Sequence, residues 1–273
     1  MTRPTTETME TGETTETRGA TARGARRAPP LGGFNRTALR LEVRRMLRSR
    51  RTLMFALVFP NLFFLLFGSG GNRASATPAA RAYLLISMAV YGAMSAMTAG
   101  GASVAVERSL GWSRQLRLTP LRPAAYVAMK VATAMVLGLM AVAAVYAVGA
   151  ALGVRMAPHV WLLSGLAAWL ASLVFAAFGL FMGFLLPSEN VMQFVGPMLA
   201  LLAMFGGLFV PLPLLPPALR TLAAWTPVYG VGQLARAPLV GGLTAGAIVS
   251  VAGWTLAFGA AAASLFARDT TRV

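Results

Sequence analysis

Six stretches of this chain lack Asp, Glu, Lys and Arg and are long enough to cross a bilayer: residues 52–72, 82–106, 131–154, 156–188, 190–219 and 237–267. A spanning helix needs about 20 mostly apolar residues. A single Arg or Asp at its centre costs roughly 2.5–3.5 kcal/mol on insertion scales. The longest stretch has 33 residues, too few for two spans. Each stretch therefore predicts one helix, and 52–267 reads as a six-helix transmembrane domain of an all-α polytopic membrane protein. A seventh uncharged run, 221–235, has only 15 residues and reads as an outer re-entrant or interfacial segment. The composition agrees: 57% hydrophobic and 12% charged residues are more apolar surface than a soluble fold buries.

The basic residues orient the chain. Net charge is +16, with 24 basic and 8 acidic residues. Such an excess can signal nucleic-acid binding, but here it gathers before residue 52 and in short gaps between apolar runs. Nucleic acid is therefore not an expected partner. With the N-terminus in the cytoplasm, the inside segments carry 19 basic residues and the outside segments 5. That imbalance predicts both termini cytoplasmic and an even number of spans. All but one of the basic residues are Arg, and Ala, Gly and Leu are abundant, which suggests a GC-rich bacterial genome and a bacterial plasma membrane.

Residues 1–35 read as a disordered cytoplasmic tail of Thr, Glu, Arg, Gly and Pro. They hold no apolar core of the kind a signal peptide needs. Residues 36–51 read as an amphipathic helix along an anionic membrane surface. Leu39, Val43, Met46 and Leu47 fall on one stripe, and Arg40, Arg44, Arg48 and Arg51 on another. Residues 268–273 read as a cytoplasmic C-terminus. Inside the spans, Pro60 predicts a kink and Asn61 a bond to a neighbouring helix. Gly179 and Gly183 form a GxxxG pair suited to close helix packing. Phe55, Phe59, Phe63, Phe175, Phe178 and Phe181 either line a greasy path or face lipid and core.

Chemistry is sparse. There is no cysteine, and His159 is the single histidine, so thiolate chemistry and Cys or His metal clusters are excluded. His159 follows Pro158 in a short outer loop and reads as a surface residue. No nucleophile is paired with a base, so neither catalytic residues nor a metal site are expected. The helix interiors carry no acid, which disfavours a pump driven by its own buried carboxylate. A phosphate-binding loop needs Lys followed by Ser or Thr. The only lysine, Lys130, precedes Val131. Active transport would therefore draw on a separate ATPase.

Residues 107–130, ERSLGWSRQLRLTPLRPAAYVAMK, form a short basic segment between two spans. Ser109 or Ser113 could cap a short helix there, with Pro120 and Pro123 ending it. Spacing alone leaves two readings open, a rigid surface helix or an ordinary positive-inside loop. Glu107-Arg108, Gly111-Trp112, Arg114, Leu116-Arg117, Thr119-Pro120-Leu121, Tyr126 and Lys130 resemble the signature loop of ABC-2 type permeases, especially the daunorubicin-resistance, multidrug-efflux branch. The amphipathic first helix, the six spans and the Pro-rich stretch 211–239 are also similar to that family, so the resemblance covers roughly residues 36–267. The 1–35 tail has no counterpart.

The resemblance implies an ATPase-coupling loop of Glu107, Arg108, Gly111, Trp112, Arg114, Leu116, Arg117, Thr119 and Pro120. In it Glu107 and Arg108 make polar contacts, Leu116 an apolar one, and Gly111 and Trp112 shape and dock the loop. It implies two permease copies with two ABC ATPase subunits, ATP and Mg residing on the latter, and a hairpin around 211–239 closing the exit. Cargo, drugs or other amphiphiles, would pass between the copies by alternating access. Three other readings stand beside this one: a glycan or lipid-linked cargo, a non-transporting scaffold recruiting a cytoplasmic partner, and a membrane-embedded lipid transferase.

Overall fold

The computed structural model describes residues 36–50, 54–68, 77–111 and 123–271. The 1–35 tail and residues 112–122 of the 107–130 segment therefore lie outside the described residues. What is described is helical throughout, with no strand among those residues.

Helix α1 spans Arg36–Leu47. It buries Met46 and half-buries Leu39, Val43 and Leu47, while Arg40, Arg44 and Arg48 stay exposed, as the two-stripe pattern predicts. Next comes a π-helical turn, Met54–Val58, which converts to α2, Phe59–Gly68. Pro60 sits just past that conversion. It has no N–H to donate, and a widened turn is a known way to absorb the missing bond. Asn61 does not reach a neighbouring helix: its Nδ2 donates to Leu57 O at 2.7 Å, within its own segment.

Helix α3, Pro78–Ser109, is the centre of the molecule. Thr77 accepts from the Ala80 amide at 3.2 Å, and Pro78 occupies the first turn, so the N-terminus is capped. Of its 32 residues 22 are buried, all the way round, which leaves no lipid-facing stripe. Helix α4 is Pro123–Ala151. Helices α5, Pro158–Ala171, and α6, Leu173–Leu185, form one path interrupted at Ser172. Along α5, Leu162, Leu163, Leu166 and Leu170 are exposed at helical spacing, a face that suits lipid rather than water.

Small residues set the core spacing. A Cβ on Gly101 of α3 would lie 2.5 Å from Ala176 O of α6, and one on Gly183 would lie 3.2 Å from Ala102. A Cβ on Gly179 would strike the Thr98 carbonyl. The Gly179/Gly183 pair thus serves backbone-to-backbone packing. On the other flank of α3, Gly100 meets Ala134 of α4. Trp169 of α5 donates its indole N–H to Met135 O of α4 at 2.8 Å.

Helix α7, Ser188–Phe205, ends at Gly206 and the positive-φ Gly207. A short 3-10 turn, Leu212–Leu214, leads to α8, Pro217–Ala224, and α9, Pro227–Val240. The final helix α10, Ala245–Thr271, is the most exposed of the long apolar helices. It leans on α6 through Phe258, whose ring is 5.1 Å from Phe178 and 5.9 Å from Phe181.

Among the described residues, four helices are long and apolar enough to cross a bilayer: Pro78–Ser109, Ala124–Ala151, Pro158–Leu185 and Ala245–Arg268. The stretch 52–72 holds a shorter apolar helix, Ala56–Gly68. The stretch 190–219 does not continue as one helix, because the glycine turn stops α7 well before Leu219's neighbours begin α8.

Candidate coupling site

The C-terminal end of α3 carries a buried polar cluster. Glu107 is 5% exposed and Lys130 2%. Glu107 Oε1 accepts from both Lys130 Nζ and Arg45 Nη2, and Oε2 accepts from the Tyr126 hydroxyl at 2.6 Å. Lys130 Nζ also donates to Glu42 Oε1 at 2.6 Å, and Arg45 Nη2 reaches the same oxygen at 3.0 Å. Ser103 Oγ lies 3.5 Å from Lys130 Nζ and donates to Gly100 O at 2.8 Å.

Two carboxylates face two cations, so formal charge within the cluster cancels. Buried charges persist only when paired and hydrogen-bonded, and here both oxygens of Glu107 are taken. Each helix contributes by register. Glu42 and Arg45 are three apart on α1 and share a face; Ser103 and Glu107 are one turn apart on α3, and Tyr126 and Lys130 one turn apart on α4. The cluster therefore fastens α1, α3 and α4 where the 112–122 segment leaves and returns.

Beside it, Arg108 points the other way. Its Nη1 donates to Phe184 O at 2.8 Å and Gly183 O at 3.3 Å, at the end of α6, and its guanidinium lies 5.8 Å from the Phe184 ring centre. Those carbonyls belong to the last turn of a helix and lack helical partners, so a cation there also meets the negative end of the helix dipole. Gly111 follows α3 with φ +73°, and its amide donates to Arg108 O at 3.0 Å. That left-handed turn closes the helix and redirects the chain.

Of the coupling residues expected from sequence, Glu107, Arg108 and Gly111 meet at this end of α3. Trp112, Arg114, Leu116, Arg117, Thr119 and Pro120 lie outside the described residues. The polar atoms of Glu107 and Arg108 that face the interior are engaged within the chain. Sequence reasoning missed Glu42, Arg45 and Ser103. Glu42 did leave a signal: it is the sole acid between residues 17 and 106, set in an arginine-rich helix. His159 is exposed at the start of α5. No group of three or more metal-ligating side chains occurs among the described residues.

Nothing in this cluster is arranged for bond-making. The cluster is a charge-balanced joint between the end of α3 and the first turns of α4. Residues 35–239 match the family model described as ABC-2 type transporter. A protein of Bacillus subtilis (strain 168), which carries the provisional name of transport permease YvfS, is 28% identical over 195 residues, covering 70% of this chain and 80% of the relative.

Proposed function

Because this chain belongs to the ABC-2 type transporter family, and is on that ground a membrane transport permease, we propose that it is the transmembrane subunit of an ATP-driven exporter of hydrophobic or amphiphilic compounds in a bacterial plasma membrane. ATP and Mg would be handled by a separate ABC ATPase, and a second permease copy would complete the path. The observation that carries this reading is the joint of Glu107, Lys130, Tyr126, Glu42 and Arg45 at the root of the 112–122 loop. A loop so rooted can pass a push from a bound subunit into α1, α3 and α4 together.

The engaged carboxylate of Glu107 supports a division of roles within the loop. Glu107 acts from inside, holding the loop's base, and contacts to the ATPase fall to the residues after Gly111. The proposed topology has six spans and cytoplasmic termini, with α8 and α9 as a hairpin on the outer side. Broken, proline-started helices joined by a tight turn suit a segment that enters the bilayer against protein without crossing it.

The test is gentle extraction of the tagged protein from its native membrane. An ABC ATPase should co-purify with wild type and be lost with Leu116→Asp plus Arg117→Glu, while the permease stays monodisperse. If no nucleotide-binding protein accompanies wild type, the exporter reading fails. A soluble partner without ATPase activity would instead support a scaffold.

A further inference from the structure

The far end of α3 holds a buried cation of another kind. Arg236 of α9 is 3% exposed. Its Nη1 donates to Ser87 Oγ at 3.1 Å and Gly207 O at 3.3 Å, and its guanidinium lies 4.6 Å from the Tyr83 ring centre. Nη2 is buried with no hydrogen-bond partner. Gly232, one turn earlier, makes the room: a Cβ there would be 2.7 Å from Nη2.

Among the described residues no carboxylate pairs with this charge. The chain's acids are four in the first 16 residues, Glu42, Glu107, Glu189 and Asp269. Glu42 and Glu107 belong to the opposite end of α3, since Ser87 and Glu107 are 20 residues or roughly 30 Å of helix apart. Glu189 is exposed at the start of α7. An arginine does not lose its proton to escape burial, so an uncompensated guanidinium calls for an anion.

The surroundings fit one. Arg236 lines a cavity of about 380 Å³ together with Tyr83, Arg220, Tyr229 and Gln233, a wall rich in donors. A second, apolar cavity of about 910 Å³, lined by Phe63, Phe67, Leu84, Met204 and Phe209, shares Tyr83 and Val240 with the first. A chamber of mixed lining that holds a buried cation thus adjoins a greasy one.

We propose that this pair of cavities binds an acidic amphiphile, its phosphate or carboxylate head on Arg236 and its apolar body among Phe63, Phe67 and Phe209. As a statement about cargo this rests on the exporter reading; as a statement about binding it does not. The guanidinium fork supplies charge-assisted bonds to an oxyanion, and Tyr229 and Gln233 supply further donors. The head could belong to a bilayer phospholipid or to a separate acidic compound.

The experiment uses the full chain in phosphatidylcholine nanodiscs, without ATPase or nucleotide, titrated with radiolabelled dodecyl phosphate. Saturable binding should weaken by about tenfold or more in Arg236→Gln, as expected for loss of charged hydrogen bonds, and stay unchanged in Arg155→Gln, an exposed control. Gly232→Ala, which keeps the arginine but crowds its guanidinium, should also weaken it. A head-group ranking on wild type alone guards against a misfolded variant: dodecyl phosphate and dodecanoate should compete, dodecanol and dodecyltrimethylammonium should not. Competition by phosphatidylglycerol in the disc assigns the site to a membrane lipid; its failure to compete assigns it to a separate compound. Equal binding by folded Arg236→Gln, or equal competition by dodecyltrimethylammonium, overturns the proposal. Either result leaves the co-purification test of the exporter untouched.

Discussion

Lys130, the only lysine in the chain, donates to Glu107 across the α3–α4 contact, and both side chains are almost wholly buried. The pair is three-sided, because Glu42 of α1 accepts from the same ammonium. Removing Lys130 leaves two carboxylates sharing the half-exposed Arg45 as their cation, a loss that approaches the cost of about 3–5 kcal/mol for breaking a buried pair. Lys130→Met should therefore lower the unfolding temperature in detergent sharply, and the Glu107→Gln, Lys130→Met double change should lower it by less than the two single effects combined. Strict additivity would show that the two residues do not act as a pair.

Arg45 sits in the same cluster but is half exposed, with 50% of its side chain accessible. Exposed ion pairs contribute about 0–1 kcal/mol. Arg45→Ala should shift unfolding far less than Lys130→Met, and raised salt should shrink the effect further. A loss as large as that of Lys130→Met would mean that α1 is held mainly through Arg45.

Glycine at the α3–α6 crossing can be compared with glycine on a bare face. Gly101→Ala pushes a methyl to within 2.5 Å of a backbone carbonyl and should destabilise the fold by at least 1–3 kcal/mol, roughly the cost of overpacking. Gly253→Ala on α10 meets nothing within 4 Å and should be neutral or stabilise by about 0.5–1 kcal/mol through helix propensity. Thermal unfolding of the two variants side by side decides it.

The absence of native cysteine makes the topology directly testable. Thr37→Cys and His159→Cys both place a thiol at an exposed position. In intact cells a membrane-impermeant maleimide should label His159→Cys and spare Thr37→Cys, and lysis should expose both. The reverse pattern would invert the orientation drawn from the arginine count.

Much of this fold is legible in sequence, because local pattern decides it. The α1 stripes follow from helix period alone, and the charge-free runs locate α3, α4 and the α5–α6 path. Where a run ends without a charge, its end is invisible: α7 stops at Phe205 because Gly206 and Gly207 turn the chain, yet the uncharged stretch continues to Leu219. The Ser172 interruption between α5 and α6 is hidden for the same reason. Counting arginines treats each as solvated, so Arg81 and Arg236 read as loop cations. In the fold, Arg81 donates to Gly68 O at 3.1 Å and Leu152 O at 3.0 Å, tying three helix ends together, and Arg236 is buried. Glu42 meeting Lys130 across 88 residues is likewise a matter of tertiary packing, which periodicity does not encode.

The α3–α6 contact has a last consequence. Where two helices touch backbone to backbone through Gly101, Gly179 and Gly183, no side chain lies between them to rotate, compress or repack. Such a seam has no give. Any change of shape must be taken up where helices meet through deformable side chains, as α10 meets α6 through the rings of Phe258, Phe178 and Phe181. The molecule is thus divided by compliance, a stiff glycine-welded block and a softer aromatic margin, and motion is directed to the margin.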